Sequence, residues 1–174
     1  MKKHNNHGGG AQTNKNGLLF ERETSLSDAI DRIPGMGVIE NRVFSNGKEI
    51  GMLCGKHDLY KHLLKPYGVN DREITSKRLL PDEAFYNYTN ETVYIFEKKF
   101  QINAGSVDEK LQTCSFKKKQ YEKLFNRLGI EVEYIYILND WFDTKQYRDV
   151  YEYILSVGCH YFFNEIPMNM IGIK

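Results

Sequence analysis

The amino-acid sequence predicts an α/β fold in which helices flank a mixed β-sheet. Segments that alternate apolar and polar residues, as strands do, are interspersed with segments of helical spacing. Short turn sequences join neighbouring strands, and the predicted order is helix, three-strand meander, helix, strand, or αβββαβ. The 174 residues, 41% hydrophobic and 27% charged, fit one globular domain.

The domain is predicted to start after a flexible tail at residues 1–16, which is polar and rich in glycine and asparagine. Residues 17–174 form the single domain. Its first helix starts near Leu18 and continues through apolar residues at Leu26 and Ile30. Pro34 and Gly35 end this helix.

The remaining elements follow from apolar periodicity and from turn residues. Asn46-Gly47 lies between two apolar runs and predicts a hairpin, while Gly129 and Gly158 end helices. Strands are expected at residues 38–44, 49–54, 84–88, 92–102, 131–138 and 159–164. Helices are expected at residues 57–64, 116–128 and 144–157.

Charge and cysteine content limit the class of protein. The chain has 24 basic and 23 acidic residues, which excludes a uniformly positive surface but permits a local basic groove. Three scattered cysteines fit neither a disulfide framework nor a zinc site and favour a reducing compartment. No apolar run approaches the length of a signal peptide or a membrane span, so we expect a cytoplasmic protein.

The strand at residues 92–102 carries charged residues at its end. Because side chains alternate between the two faces of a strand, Glu97, Lys99 and Gln101 share one face with apolar residues, whereas Lys98 points to the other. Both faces begin apolar, which indicates a central, buried strand. Charged groups in such a position are almost always paired or bound to a metal.

The preceding strand brings a second carboxylate to this position. A hairpin folded between Thr89 and Asn90 pairs Asp82 with Glu97, with Cβ atoms roughly 5 Å apart. Two carboxylates at that distance repel by about 3 kcal/mol, and a divalent cation between them reverses the sign. A slip of one residue would instead move Asp82 to the other face.

Pro81-Asp82 followed by Glu97-Lys98-Lys99 resembles the PD-(D/E)xK signature of the restriction-endonuclease-like nuclease superfamily, and Gln101 resembles the ExKxQ version. The αβββαβ order is also similar to the common core of that superfamily. Within it, the stretch from Gly105 to Gln112 resembles small restriction-type or prophage-encoded nucleases. The other interpretation is that Glu97 and Lys99 form an ordinary surface ion pair.

The resemblance implies a role for each of these residues. Asp82 and Glu97 would hold Mg²⁺, for which Mn²⁺ can substitute, together with the main-chain carbonyl of Lys98. Lys99 would orient the attacking water and stabilise negative charge on the phosphate. Glu21 resembles a helical acid that some members add to the metal site, and is otherwise a solvated helix residue.

Positive charges after this strand are candidates for DNA contact. The lysines could bind phosphates or form a solvated helix face, and lie at Lys110, Lys117, Lys118 and Lys119. Ser106, an uncharged residue just before them, is a further candidate for DNA contact. Gln120 resembles a helical glutamine that supports the metal in some members. Asp108 and Glu109 could contact metal-bound water or bases, or cap a turn.

The resemblance therefore implies a Mg²⁺-dependent endonuclease that cleaves DNA to leave a 5′-phosphate, with restriction-type double-strand cleavage as the first expectation. A structure-specific nuclease for junctions or repair, and a nucleic-acid-binding protein that does not cut, are the alternatives. Cutting both strands with one site per subunit favours a homodimer.

Overall fold

Seven strands form one mixed sheet in residues 9–103 and 107–174, which the computed structural model describes. They lie in sequence order, β1 to β5 antiparallel and β6 and β7 parallel to β5. The strands are β1 (Met36–Ile39), β2 (Arg42–Ser45), β3 (Lys48–Cys54), β4 (Glu83–Asn87), β5 (Thr92–Lys99), β6 (Glu131–Leu138) and β7 (His160–Phe163).

Helices cover both faces of the sheet, as the sequence predicts. They are α1 (Gly9–Glu23), α2 (Leu26–Asp31), α3 (Asp71–Ile74), α4 (Val107–Leu111), α5 (Cys114–Phe125) and α6 (Arg148–Ser156). A π-helical segment spans Leu59–Leu64, and 3₁₀ turns lie at Lys65–Tyr67, Asn126–Leu128, Asp140–Phe142 and Lys145–Tyr147. None of the helices within the described ranges has the length and apolar character needed to cross a membrane.

Strand β5 separates two apolar cores, because its side chains alternate between the faces of the sheet. Val93 and Ile95 join the core under α5, α6 and the π-helical segment. Tyr94 and Phe96 join the core under α1, α2 and the carboxyl-terminal residues. All four side chains are buried, which confirms the prediction of a central strand.

The first predicted strand is wrong in extent. Residues 38–44 do not form one strand, because a turn at Glu40 and Asn41 divides them between β1 and β2. Glu40 adopts a positive φ of 56°, which the polar Glu-Asn-Arg sequence accommodates in a tight turn. The next hairpin is confirmed, since Asn46 and Gly47 both have positive φ between β2 and β3.

The amino-terminal helical region also differs from the prediction. Helix α1 begins at Gly9, so it includes residues that the sequence assigned to the tail, while residues 1–8 lie outside the described part of the chain. The single helix predicted through Ile30 is divided at Ser25, whose hydroxyl accepts a hydrogen bond from the Asp28 N–H and caps α2.

Candidate active site

The β4–β5 hairpin brings Asp82 next to the end of β5. Glu83 pairs with Phe96 in the antiparallel register, so the next pair outward is Asp82 and Glu97, as predicted. The Lys98 N–H donates to Asp82 Oδ2 at 2.7 Å. Gly55 allows the chain to pass closely here, because a Cβ on it would lie 2.8 Å from the Asp82 carbonyl oxygen.

The Glu97 carboxylate forms ion pairs with two ammonium groups. Lys99 Nζ lies 2.9 Å and Lys117 Nζ 2.7 Å from the same carboxylate oxygen, Oε1. Lys99 also donates to the Lys98 carbonyl oxygen at 3.2 Å. Glu97 exposes only 13% of its side chain, so these charges interact with little solvent screening. The site thus joins both predicted acids, Lys99 and the Lys98 carbonyl.

The two carboxyl groups have opposite pKa shifts. Burial raises the pKa of Asp82, and the nearby Glu97 charge raises it further against the opposing hydrogen bond from the Lys98 N–H. Burial alone would also raise the pKa of Glu97, but the ammonium groups of Lys99 and Lys117 hold it below its ordinary value. The two lysines thus favour the charged form of Glu97, whereas burial disfavours the charged form of Asp82, which a nearby cation would stabilise.

The Lys98 side chain points to the opposite face of the sheet. Its Nζ lies 2.6 Å from Glu83 Oε2 and donates to the Glu21 carbonyl oxygen at 3.1 Å. Lys98 therefore ties α1 to β4 and β5. The Glu21 carboxylate is exposed, yet its charge contributes to raising the pKa of Asp82, so it lies within electrostatic reach of the site.

Gln101 lies just beyond the end of β5 and is buried. Its backbone N–H donates to Asn139 Oδ1 at 3.0 Å, and Asn139 Nδ2 donates to its carbonyl oxygen at 2.9 Å. Neither polar atom of its side-chain amide has a hydrogen-bond partner within the described residues. An unpartnered buried amide is costly, which makes this group a candidate to bind a ligand or a water molecule.

The basic residues after β5 have different environments. Lys117, for which DNA contact stays a prediction, pairs with Glu97. Lys118 donates to the Gly158 carbonyl oxygen at 2.7 Å and lies 3.4 Å from Glu133. Lys110 and Lys119 are exposed. Ser106 and the side chain of Asp108 fall outside what the structure describes.

Gln120 is half-buried on α5, and no described hydrogen bond joins it to Asp82, Glu97 or Lys99. Its neighbour Tyr121 is 2% exposed and belongs to the core, as its helical spacing predicts.

Sequence reasoning missed three contributions to the site. Lys117 is a partner of Glu97, Asn139 fixes the backbone of Gln101, and Tyr134 and Tyr136 form a buried aromatic pair 5.3 Å apart on the strand beside Glu97. The sequence held one signal, because Tyr134 and Tyr136 alternate onto one face of the predicted strand. The parallel register that places Tyr136 beside Glu97 is known only from the structure. The side-chain direction of Lys117 had no such signal, because it depends on how α5 packs on the sheet.

A groove of about 510 Å³ opens at this end of β5, between α1 and the sheet. Its lining comprises Gly17, Leu18, Phe20, Glu21, Lys98, Lys99 and Phe100. The groove opens on the face of the sheet that carries the Lys98 side chain, opposite Glu97, and Lys99 is the lining residue that it shares with the charged cluster.

The donor set is suited to a hard cation. Two carboxylates and a main-chain carbonyl are the oxygen ligands that Mg²⁺ takes, with water completing its coordination. The raised pKa of Asp82 beside ionised Glu97 has the sign that a cation would relieve. Within the described residues, however, no group of three or more His, Cys, Asp or Glu side chains is arranged to hold a metal. The residues fit the ion as two acids, a carbonyl and water.

Comparison of the chain with protein-family models, with curated proteins and with solved structures found no match.

Proposed function

We propose that the protein is a Mg²⁺-dependent endonuclease that hydrolyses DNA phosphodiester bonds. The observation that carries the proposal is the meeting of Asp82, Glu97 and Lys99 at one end of β5. These residues are the acid, acid and lysine of the PD-(D/E)xK signature. The proposal extends to the fold, in which α1, β3, β4, β5, α5 and β6 would be the αβββαβ core of that superfamily.

Asp82, Glu97 and the Lys98 carbonyl would hold the ion. When bound, Mg²⁺ lowers the pKa of water and draws negative charge from phosphoryl oxygens. Lys99 would then place its ammonium group beside the phosphate and stabilise the charge that develops there. The Lys98 N–H holds Asp82 in position through its 2.7 Å hydrogen bond.

Lys117 would have two functions in this reaction. Without a cation, it neutralises Glu97 together with Lys99. With a cation held by Glu97, the Lys117 ammonium group would no longer be needed to balance the charge of that carboxylate and would be free to bind a phosphate oxygen. This assigns Lys117 to the active site and leaves Lys110 and Lys119 as the exposed candidates for DNA contact.

A nucleic-acid-binding protein that does not cut is the second candidate. The observation in its favour is that both ammonium groups already contact Glu97 Oε1, the oxygen that a cation would need. In that case, the cluster would be a basic surface patch whose lysines contact phosphates directly.

A nicking assay on supercoiled DNA in Mg²⁺ separates the two candidates. The parent is expected to nick the DNA, and Glu97→Gln and Lys99→Met are expected to lose activity by about 100-fold or more. Lys123→Met, an exposed lysine in the second half of the helix that carries Lys117, is the matched control and should retain parental activity. Equal rates for the parent and for both active-site variants would exclude the nuclease.

The same assay on linear, single-stranded and branched DNA distinguishes restriction-type cleavage from a structure-specific nuclease. For the restriction-type enzyme, we propose a homodimer, because twofold symmetric DNA is cut by two sites related by a twofold axis. Light scattering with and without duplex DNA measures the subunit number, and a monomer in both conditions contradicts the dimer.

A further inference from the structure

A second groove, of about 610 Å³, lies on the segment that connects β3 to β4. It is lined by His57, Tyr60, Lys61, Lys65, Asn70 and Arg78, with Asp71 at its base. A neighbouring groove of about 340 Å³ shares Asp71 and Arg78 and adds Arg72 and Lys77. The two grooves form one concave surface, hereafter the β3–β4 groove.

The charge of this segment differs from that of the rest of the chain. Residues 56–78 contain six lysine or arginine and three acidic residues, a net charge of +3. The whole chain has a net charge of +1, so the other residues together carry −2. Residues 56–78 are therefore more basic than the chain as a whole, and a basic segment attracts anions.

Each of the three acidic side chains in the segment interacts with a residue nearby in the sequence. Asp71 pairs with Arg78, Asp58 lies 3.7 Å from His62, and Glu73 accepts a hydrogen bond from Asn70 at 2.7 Å. Lys61 and Lys65 are exposed and line the groove. In the described part of the chain, no carboxylate lies within 4.0 Å of either ammonium group.

The floor of the groove is held in a fixed geometry. Arg78 donates to both oxygens of Asp71, at 2.6 and 2.8 Å, and its guanidinium lies 4.9 Å from the centre of the Tyr60 ring. The Tyr60 hydroxyl donates to the Leu79 carbonyl oxygen at 2.6 Å. The Arg78 side chain nevertheless remains 41% exposed, so a planar cation is preoriented at the surface.

The groove lies on the same side of the sheet as the site and close to it. Tyr60 belongs to the core that contains Ile95 and Tyr121, on the face of β5 that carries Glu97. Arg78 precedes Asp82 by four residues, so their Cα atoms are at most about 14 Å apart. At 3.4 Å per nucleotide along one strand, that distance corresponds to about four nucleotides.

We propose that the β3–β4 groove binds the phosphate backbone of DNA up to about four nucleotides from the bond that is cut. This inference rests on the proposed function and deepens it. Lys61, Lys65 and Arg78 would fix the position and direction of the strand at the active site. Such contacts supply affinity and register but do not distinguish base sequence.

The test measures binding of a fluorescently labelled duplex in EDTA, where a Mg²⁺-dependent reaction does not proceed. The double variant Lys61→Ala/Lys65→Ala is compared with the parent over a range of salt concentrations. Each lost phosphate contact reduces the slope of log K against log salt by about 0.9, so the expected reduction is about 1.8. Hydroxyl-radical protection should also shorten by about four nucleotides on one side of the cleaved bond.

The matched control is Lys48→Ala/Lys123→Ala. Both lysines are exposed, and they lie at the starting end of β3 and in the second half of α5, away from the active-site end of β5. This control should keep the parental slope. If the parent nicks DNA but all three proteins share one slope and one footprint, this inference is wrong while the proposed function stands. If the parent neither binds nor nicks DNA, both are wrong.

Discussion

The two faces of β5 each hold a lysine paired with a glutamate, and the two pairs differ in how their charges are satisfied. On one face, Lys98 exposes 4% of its side chain and pairs with Glu83 at 2.6 Å. Both groups also form hydrogen bonds to the backbone. Glu83 accepts one from the Leu26 N–H, and Lys98 donates one to the Glu21 carbonyl oxygen. One cation meets one anion, and the backbone of α1 and α2 completes the pair.

On the opposite face, the charges are not matched one to one. Glu97 meets two ammonium groups, whereas Asp82 beside it accepts a hydrogen bond from a main-chain N–H and forms no ion pair within the described residues. Burial, and then the neighbouring Glu97 charge, raise the pKa of Asp82. Three residues of one strand, 97 to 99, therefore contain both kinds of site. The satisfied pair stabilises the fold, and the unmatched cluster is the one that we propose as the active site.

The largest effect expected from this contrast is that substitution of one lysine lowers stability, whereas substitution of the other removes activity. Lys98→Met leaves the partly buried Glu83 carboxylate without its cation, so we expect a loss of about 2 kcal/mol in the free energy of unfolding. Lys99→Met leaves Glu97 paired with Lys117 and should cost less than half of that, while removing nicking activity. Urea denaturation measures the first quantity, and the nicking assay measures the second.

Glu83→Gln is the control for the satisfied pair. It removes the same ion pair by changing the glutamate and not the lysine. It should lower stability as Lys98→Met does and leave the nicking rate per folded molecule unchanged. Should Lys98→Met prove as stable as the parent, or should Lys99→Met be the more destabilised of the two, the contrast between the faces would be wrong.

Much of this contrast could be predicted from the sequence, because it depends on alternation along a strand and on hairpin register. The register that pairs Asp82 with Glu97 follows from the turn at Thr89 and Asn90, and the structure has it. The opposite direction of Lys98 follows from the same alternation. Strand alternation and hairpin register were sufficient to place these side chains, because residues close in the sequence determine both.

The partners supplied by distant segments could not be predicted. Lys117 is twenty residues from Glu97, and its contact depends on how α5 packs across β5 and β6. Similarly, the Glu21 carbonyl reaches Lys98 only because α1 lies against the sheet. The turn at Glu40 was missed for a different reason: a short polar interruption in an apolar run is compatible with both a strand and a hairpin.

A smaller effect should appear in the pH dependence of stability, measured in EDTA. The pKa of Asp82 in the folded protein lies above its ordinary value of 3.8. The free energy of unfolding therefore decreases as the pH rises from 3.8 through the folded pKa of Asp82. Asp82→Asn should therefore be more stable than the parent at neutral pH. The difference should vanish below pH 3.8.

Glu97 should behave in the opposite way. Its folded pKa lies below its ordinary value of 4.5, so its contribution is present above pH 4.5 and is lost as the pH falls through the folded pKa. Glu97→Gln should accordingly be less stable than the parent at neutral pH and equal to it in acid. Urea denaturation across this pH range tests both variants, and stability changes of the same sign for the two would contradict the opposite directions of the two pKa shifts.

The smallest effect concerns Gln101, whose buried amide has no described partner. Replacing an unpartnered amide by an apolar side chain of similar length removes its desolvation cost, so Gln101→Met should gain about 0.5 kcal/mol in the free energy of unfolding. If the amide serves a ligand or water in the site, the same variant should also lose nicking activity. Gln120→Met, half-buried on α5, is the control and should change neither quantity. A Gln101→Met protein that gains stability and keeps full activity would show that this amide lies beside the site without taking part in it.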